Sequence, residues 1–545
     1  MGRAFSTSYL VGDPAACAFL SRDFRRPADR LAAVRGASGR KPDPALVAVL
    51  CEQQASLPPS AAREQNLEAL VSGRAVAVVT GQQVGLFLGP LYTFYKALTA
   101  IAVARALQAE SGVRCVPLFW LQTEDHDFPE IASCTTAGAD GAPVRLALDG
   151  GPAEMERVSV AHRTLGPEVT RLLDDLAALT EGEPAAGQVL ALLGRHYRPG
   201  RPVARAFAGA LAEVCEDSGA GLLFLDPRDA RVAGLAAPIY RRALDDASVI
   251  DRLLEDQVGR LDAAGFQAQI VVRAGSPLVF FHPQGASGPR FRLQAENGAQ
   301  GEWRLAGAAA RVSRGALLEA LAAEPLRFST SALLRPIVQD SLLPTAAYVG
   351  GPAEVSYFAQ LQPLYAHFAV SPPLLVPRAR CRCVDARARR RLAALGLGPE
   401  DLARPLPELL ARLAMAPAGK ADPGELRRRA AAEVEPIVAQ IADAVAAAEP
   451  SLARAAERTR ASAGRALARL TDRYARRLAE RDGVTRRRLE QLRDALYPGG
   501  VAQERVFGWI WLAARVGPAA LGRMVRDALS AGNGPFDPTI RELRP

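Results

Sequence analysis

The 545-residue sequence has only seven cysteines and five histidines, and neither type is grouped as a framework. Cys17, Cys51, Cys115, Cys134, Cys215, Cys381 and Cys383 are too few and too scattered to staple a chain this long, which favours the cytosol. Cys381 and Cys383 lack the two-residue gap of a zinc half-site, and no second Cys/His pair completes four ligands, so no structural metal is expected. No run approaches the roughly twenty apolar residues of a membrane helix, and the N-terminus lacks a basic-then-apolar export pattern. A soluble, cytoplasmic protein without a membrane partner is expected. Positive charge also lacks a single block: 67 Lys and Arg stand against 58 Asp and Glu, and the excess of +9 is spread over Ala-rich helices. Nucleic-acid binding is therefore not expected.

What is present is a glycine-spaced junction. Ala75 to Val79 read as a buried strand, Gly81, Gly85 and Gly89 follow, and Pro90 opens a helix over Leu91 to Leu107. Helix-start N–H groups lack internal partners and carry positive dipole, so this junction is read as an anion seat, with Lys96 adding charge. Gln82 and Gln83 are placed to orient a carboxylate or sugar hydroxyl. A second apolar strand, Val116 to Leu121, ends in Gln122, Thr123, Glu124, Asp125, His126 and Asp127. Strand, helix, strand implies a parallel unit, in which ligands collect beyond the carboxyl ends of the strands. Both motifs emerge there.

The fold class read from the pattern is α/β: a Rossmann-like parallel core with inserted modules and a C-terminal α-helical coiled coil. The expected divisions are core at 1–136, a first insertion at 137–200, core at 201–262, a second insertion at 263–330, and core at 331–385. A linker at 386–423, a helical arm at 424–497, and helices returning to the core at 498–545 complete them. Pro143 to Val160 is expected to form two strands around an Asp149-Gly150-Gly151 turn, and QIVVR, PLVFFH, RFRLQAE and GEWRLAG an antiparallel meander. A strand at Ala346 to Val349 meets Gly350, Gly351 and Pro352 before a helix from Ala353, repeating the first junction. The core is expected to end near Arg378 and Arg380, both read as solvated rather than as phosphate contacts. In the arm, Val434, Ile437, Ile441, Val445 and Leu452, then Leu467, Leu470, Tyr474, Leu478, Leu489, Leu492 and Leu496, recur at threes and fours. One apolar seam on long polar helices calls for a partner, within the chain or across a dimer.

The ordered set Thr80-Gly81-Gln82-Gln83, Gly89-Pro90-Leu91-Tyr92-Thr93, Glu124-Asp125-His126-Asp127-Phe128, Arg335-Pro336, Gln339-Asp340 and Tyr348-Val349-Gly350-Gly351-Pro352-Ala353-Glu354 resembles the BshC family. Tyr497-Pro498-Gly499-Gly500 and Gln503-Glu504-Arg505 extend the resemblance over essentially the whole chain. The resemblance implies a Rossmann-like core with connecting insertions and a coiled coil that forms a homodimer. It also implies a ligase joining L-cysteine to glucosaminyl malate in bacillithiol biosynthesis. Kinship of fold with class I aminoacyl-tRNA synthetases suggests carboxylate activation with ATP or ADP and Mg²⁺, although their two-histidine first loop is replaced here by Gly89-Pro90-Leu91-Tyr92.

Amide formation needs an electrophilic acyl group, an unprotonated amine and donors for charge developing on oxygen. His126 is the expected proton acceptor, with Asp125, Asp127 or Glu124 tuning it or helping to bind Mg²⁺. The plainer reading has Asp125 or Asp127 capping a helix and His126 packing structurally. Thr80, Gly81, Gln82, Gln83, Gly89, Pro90, Tyr92, Thr93 and Lys96 are expected to contact substrate or nucleotide. Arg335, Gln339, Asp340, Tyr348, Gly350, Gly351 and Glu354 are expected to join them, with Asp340 alternatively a buried partner of Arg335. A nucleotidyl transferase or other carboxylate-activating enzyme fits the same core, and a coiled-coil scaffold would make the arm the functional part.

Overall fold

In a computed structural model, which describes residues 3–138, 141–150, 155–295, 301–413, 423–480 and 483–545, five strands form one parallel sheet. They are β1 (Ala75–Gln82), β2 (Arg114–Leu121), β3 (Leu223–Leu225), β4 (Thr345–Gly350) and β5 (Leu374–Pro377), in the order β5-β4-β1-β2-β3. β1 lies in the middle and is buried along its length up to Gln82, which explains its unbroken apolar run. β2 pairs with it in register from Ala75↔Arg114 to Gln82↔Leu121, and β4 pairs on its other side with Thr80 opposite Val349. The chain runs outward from β1 through β2 and β3, then returns to β4 and β5 on the opposite side. The order therefore reverses between β1 and β4, and a crevice opens at such a point beyond the strands' carboxyl ends.

Helices at Leu91–Ser111 and Pro352–His367 follow β1 and β4 directly. A second, antiparallel sheet has the order Phe328–Thr330, Val279–Phe281, Phe291–Ala295, Glu302–Leu305, Arg311–Ser313. The expected QIVVR strand is absent from it, because the Gln360 side chain occupies that backbone: Ile270 N–H donates to Gln360 Oε1 (3.0 Å) and Gln360 Nε2 to Ile270 O (2.9 Å). The hairpin expected at Asp149-Gly150-Gly151 is also displaced. Ser133–Ala137 pairs instead with Pro143–Ala147, and Gly151 lies outside the described residues.

The chain separates into two compact units, one comprising most of the first 382 residues with Phe507–Leu543, the other Cys383–Val506. The first unit therefore does not end at Arg380. Its last segment returns, with Arg380 Nη2 donating to Pro538 O (2.7 Å). In the second unit Val384, Leu392, Leu402, Leu409, Leu489, Leu492 and Leu496 form a small core of their own. Beyond it, Glu435–Ala448 and Ala453–Glu480 form a helical hairpin, the second helix about 42 Å long at 1.5 Å per residue. The turn is set by Pro450 and by the Glu449 side chain, which accepts from Ser451 N (3.3 Å) and Oγ (2.6 Å). Pairing within the hairpin leaves much of the seam open: Ile437 is 57%, Ile441 61% and Leu470 65% exposed. Among the described residues no helix is long and apolar enough to cross a membrane.

Candidate functional site

The first glycine junction is built differently from its expected form. Leu86–Leu88 makes a tight turn in which Phe87 (φ 48°), Leu88 (φ 72°) and Gly89 (φ 63°) are left-handed, a conformation costly for Phe and Leu unless the surroundings enforce it. Tyr197 does so: its hydroxyl accepts from Leu88 N–H (3.1 Å) and donates to Gly85 O (3.4 Å), and its ring meets Phe87 edge-on. The helix start beyond is covered by the C-terminal segment. Leu91 N–H donates to Phe507 O (2.9 Å), Trp509 N–H to Gly89 O (3.2 Å), and Pro90 pairs with Gly508. Gly508 has no side chain for a steric reason, since a Cβ there would stand 2.2 Å from Cys134 Sγ. The start of the Leu91–Ser111 helix is thus not an open anion seat, because protein backbone already occupies it. Pro90 and Gly89 serve this joint, and Thr93 is buried behind it with its hydroxyl unpartnered.

Lys96 is likewise committed. Its ammonium donates to Gly81 O (2.8 Å) and Gln82 Oε1 (2.9 Å) and pairs with Glu354 Oε2, so three donors meet three acceptors. Glu354 comes from the second glycine junction, where it also accepts from Gly351 N–H (2.7 Å) and from the Tyr348 hydroxyl (2.5 Å). Burial pushes the Glu354 carboxyl up, but Lys96 outweighs it and holds the group ionised, below the usual range. Behind Tyr348, Arg335 donates to the Tyr348 (3.1 Å) and Tyr357 (2.9 Å) hydroxyls and to Gln339 Oε1 (2.7 Å). Gln339 passes the chain to Asp340 Oδ1 (2.9 Å), whose other oxygen accepts from Tyr365 (2.6 Å). Arg335, Gln339 and Asp340 are fully buried and brace this junction from below rather than facing the crevice. Thr80 braces it too, donating to Val349 O (2.9 Å) across β1 and β4, while Gly81 lets β1 approach β2 at Trp120 O.

Gln82, Gly350, Gly351 and Arg378 stand at or just beyond the carboxyl ends of β1, β4 and β5, with Tyr92 beside them. Gln82 Nε2 lies 3.5 Å from the Tyr92 hydroxyl, and the Arg378 guanidinium is 5.4 Å from the centre of the Tyr92 ring. Arg378 is only 5% exposed, and its N–H donates to Gly350 O (2.8 Å), so the expected solvated arginine is an integral part of the site. Its signal in the sequence was position alone, one residue beyond the end of β5.

The acid corner at the end of β2 adjoins these residues through Gln83, whose Nε2 donates to Asp125 Oδ2 (3.0 Å). Asp125 Oδ1 accepts from His126 N–H (2.7 Å) and faces His126 Nδ1 (3.5 Å) and Arg290 Nη1 (3.4 Å). Burial alone would raise the Asp125 carboxyl, but the His126 side chain, Arg290 and the His126 N–H together pull it down to about 2. Asp125 therefore remains an anion that fixes the corner. Glu124 turns away: its carboxylate accepts from Thr330 Oγ1 (2.5 Å), and its carbonyl accepts from Arg290 (2.5 Å), tying β2 to the antiparallel sheet. Arg290, unremarked in the sequence, is buried with its guanidinium 3.9 Å from the Phe280 ring centre and organises the corner. Asp127 is exposed and makes no side-chain cap to the short Phe128–Ile131 helix, so of the two acids in the plainer reading it is Asp125 that accepts a backbone N–H, that of His126. Glu130, three residues on and exposed, is a further candidate: desolvation by the surrounding protein first, then the charges of Asp127 and Asp125, raise its carboxyl above the ordinary range. Two buried polar atoms here, Gln83 Oε1 and His126 Nδ1, have no hydrogen-bond partner.

Asp125 gives the corner a pH signature. Its native value lies below the ordinary 3.8, so its stabilising contribution is present above the unfolded value and disappears as pH falls toward about 2. In urea unfolding, the stability difference between wild type and Asp125→Asn is expected to be constant above about pH 5 and to shrink steadily on acidification. A difference that does not change with pH would remove Asp125 from this role.

A chain of polar contacts links both glycine junctions and the acid corner, from Glu354 through Lys96 and Gln82 to the adjacent Gln83, Asp125 and His126. Comparison with known proteins agrees with this architecture. Residues 3–379 match the family described as bacillithiol biosynthesis BshC, N-terminal Rossmann-like domain, and residues 382–533 its C-terminal coiled-coil domain. A protein of Koribacter versatilis named "Putative cysteine ligase BshC" is 34% identical over 484 residues, covering 87% of this chain and 85% of its own. Proteins of the same name from Salinibacter ruber (31% identical, 91% and 88% covered) and Solibacter usitatus (33% identical, 84% of each) are similar. The chain accordingly belongs to the BshC family of bacillithiol biosynthesis.

Proposed function

We propose that this chain is the ligase that adds L-cysteine to glucosaminyl malate, with the cysteine carboxyl acylating the glucosamine amine. The observation that carries this reading is the distribution of charge beyond the carboxyl ends of the strands. At one end stand Arg378 and the start of the Pro352–His367 helix, where Glu354 takes the Gly351 N–H but Pro352 and Ala353 are exposed and the dipole favours anions. At the other stand Asp125, Asp127, Glu130 and His126. A substrate with malate carboxylates at one end and an amine at the other matches that distribution. The His126 imidazole, about a third exposed and with its Nδ1 turned to the Asp125 anion, accepts on its open side the proton that the amine loses as the C–N bond forms. Asp125 stabilises the imidazolium so produced. The carboxyl oxygen leaves with its activating group, and overall the two substrates lose one water.

ATP, where it is the activator, converts that oxygen into a leaving group. Arg378 and the Pro352 helix start are suited to its phosphates. Magnesium would reach the protein chiefly through phosphate oxygens, since among the described residues no group of three or more His, Cys, Asp or Glu is placed to hold a metal. Purified full-length chain incubated with both substrates, with and without ATP or ADP and Mg²⁺, is expected to give a product of their summed mass less one water. No such product under any condition would overturn the reading.

The arm, in the same proposal, joins two copies of the chain. Its open seam at Ile437, Ile441 and Leu470 supports this, because a hairpin of one chain leaves these side chains in water. Ile437→Glu with Ile441→Glu is expected to shift the mass in light scattering from dimer to monomer without loss of tryptophan burial, since all four tryptophans (Trp120, Trp303, Trp509 and Trp511) lie in the first unit. A wild-type monomer at micromolar concentration would contradict it.

A further inference from the structure

We propose that a cavity beside β3, on the far side of β2 from the glycine junctions, is the subsite for a small α-amino acid in its zwitterionic form. It is lined by Gln53, Ser56 and Leu57 from the end of one helix, by Ala204, Arg205 and Ala208 from the Val203–Glu216 helix, and by Leu121, Phe224 and Asp226 from the ends of β2 and β3. Its volume is about 470 Å³ including the open mouth. The lining sorts into a charged rim and an apolar floor.

On the rim, Arg205 is exposed and has neither a hydrogen bond nor an ion pair among the described residues. Asp226 is held rigidly: the Gln53 side chain donates to its carbonyl (3.0 Å) and accepts from its N–H (2.8 Å). Its Oδ1 accepts from the Thr123 hydroxyl (2.5 Å) and from Arg228 N–H (3.0 Å), which leaves Oδ2 without a partner. Arg205, whose guanidinium has no hydrogen bond, and Asp226, whose carboxyl is raised by burial and lowered by Arg205, thus line a single cavity, the pair needed for the carboxylate and ammonium of an amino acid. Ala204 and Ala208, four residues apart on one helix face, leave room over Leu121 and Phe224 for a short uncharged side chain. Thr123 ties the cavity to the acid corner, because it binds Asp226 and precedes Glu124, Asp125 and His126 in the chain.

The identity of the amino acid as L-cysteine rests on the ligase reading; the zwitterion chemistry does not. Calorimetric titration of the full chain with L-cysteine, L-serine, cysteamine and 3-mercaptopropionate tests it. L-Cysteine and L-serine are expected to bind, and Arg205→Glu to weaken both at least about tenfold, the scale of one lost charged contact, with Arg205→Lys in between. Cysteamine, which lacks the carboxylate, is expected to bind weakly and not to weaken further in Arg205→Glu. Affinity for L-cysteine unchanged in Arg205→Glu, or equal affinity for all four compounds, would overturn the assignment. Amide formation by wild type with Arg205→Glu unimpaired leaves the ligase reading standing and removes this subsite. Arg205-dependent cysteine binding without amide formation does the reverse.

Discussion

Replacing His126 with alanine is expected to lower kcat for amide formation by about 10²–10⁴-fold, the range for a positioned general base, while leaving the unfolding transition in place. Both halves of that expectation come from the structure. The His126 side chain is about a third exposed and its Nδ1 makes no hydrogen bond, so little packing is lost with the ring. The proton acceptor next to an ionised Asp125 is lost entirely. Binding of glucosaminyl malate, measured by calorimetry, should change far less than kcat. A kcat within about threefold of wild type would transfer the role to another group, of which Glu130 is the nearest by environment.

Lys96→Met is the second large effect, expected to cost about 3–5 kcal/mol in urea unfolding followed by tryptophan fluorescence. The reason is the partner left behind. With Lys96 only 4% and Glu354 17% exposed, methionine would strand a carboxylate that Tyr348 and Gly351 still hold in place. Lys96→Met combined with Glu354→Gln removes both charges, keeps an acceptor for Gly351, and should recover a substantial part of the loss. A single Lys96→Met variant within about 1 kcal/mol of wild type would show that the ion pair does not lock the two junctions together.

How far the sequence is readable follows from whether the deciding contact is local. β1 and β2 are legible because burial on both faces demands continuous apolar runs, and the acid corner is legible because strand ends in a parallel sheet face the same way. The arm's seam is legible through its helical period, although not the fact that much of it stays open. QIVVR has strand composition and is not a strand, since Gln360, ninety residues away, takes its hydrogen bonds. The anion seat at Leu91 fails for the same kind of reason, its N–H having been claimed by Phe507 from the far end of the chain. Lys96 looked available for a ligand because Glu354, which neutralises it, belongs to the other glycine junction. Arg378 reads as a surface residue because nothing near it in the sequence reports its contacts with Tyr92 and Gly350.

The central claim is that the two glycine junctions and the acid corner form one binding rim at the reversal of strand order. Hydrogen–deuterium exchange of the full chain, with and without saturating glucosaminyl malate, tests it most directly. The account predicts simultaneous protection in peptides spanning 81–92, 122–131 and 350–356. Protection confined to one of the three, or found only in the helical arm, would contradict it.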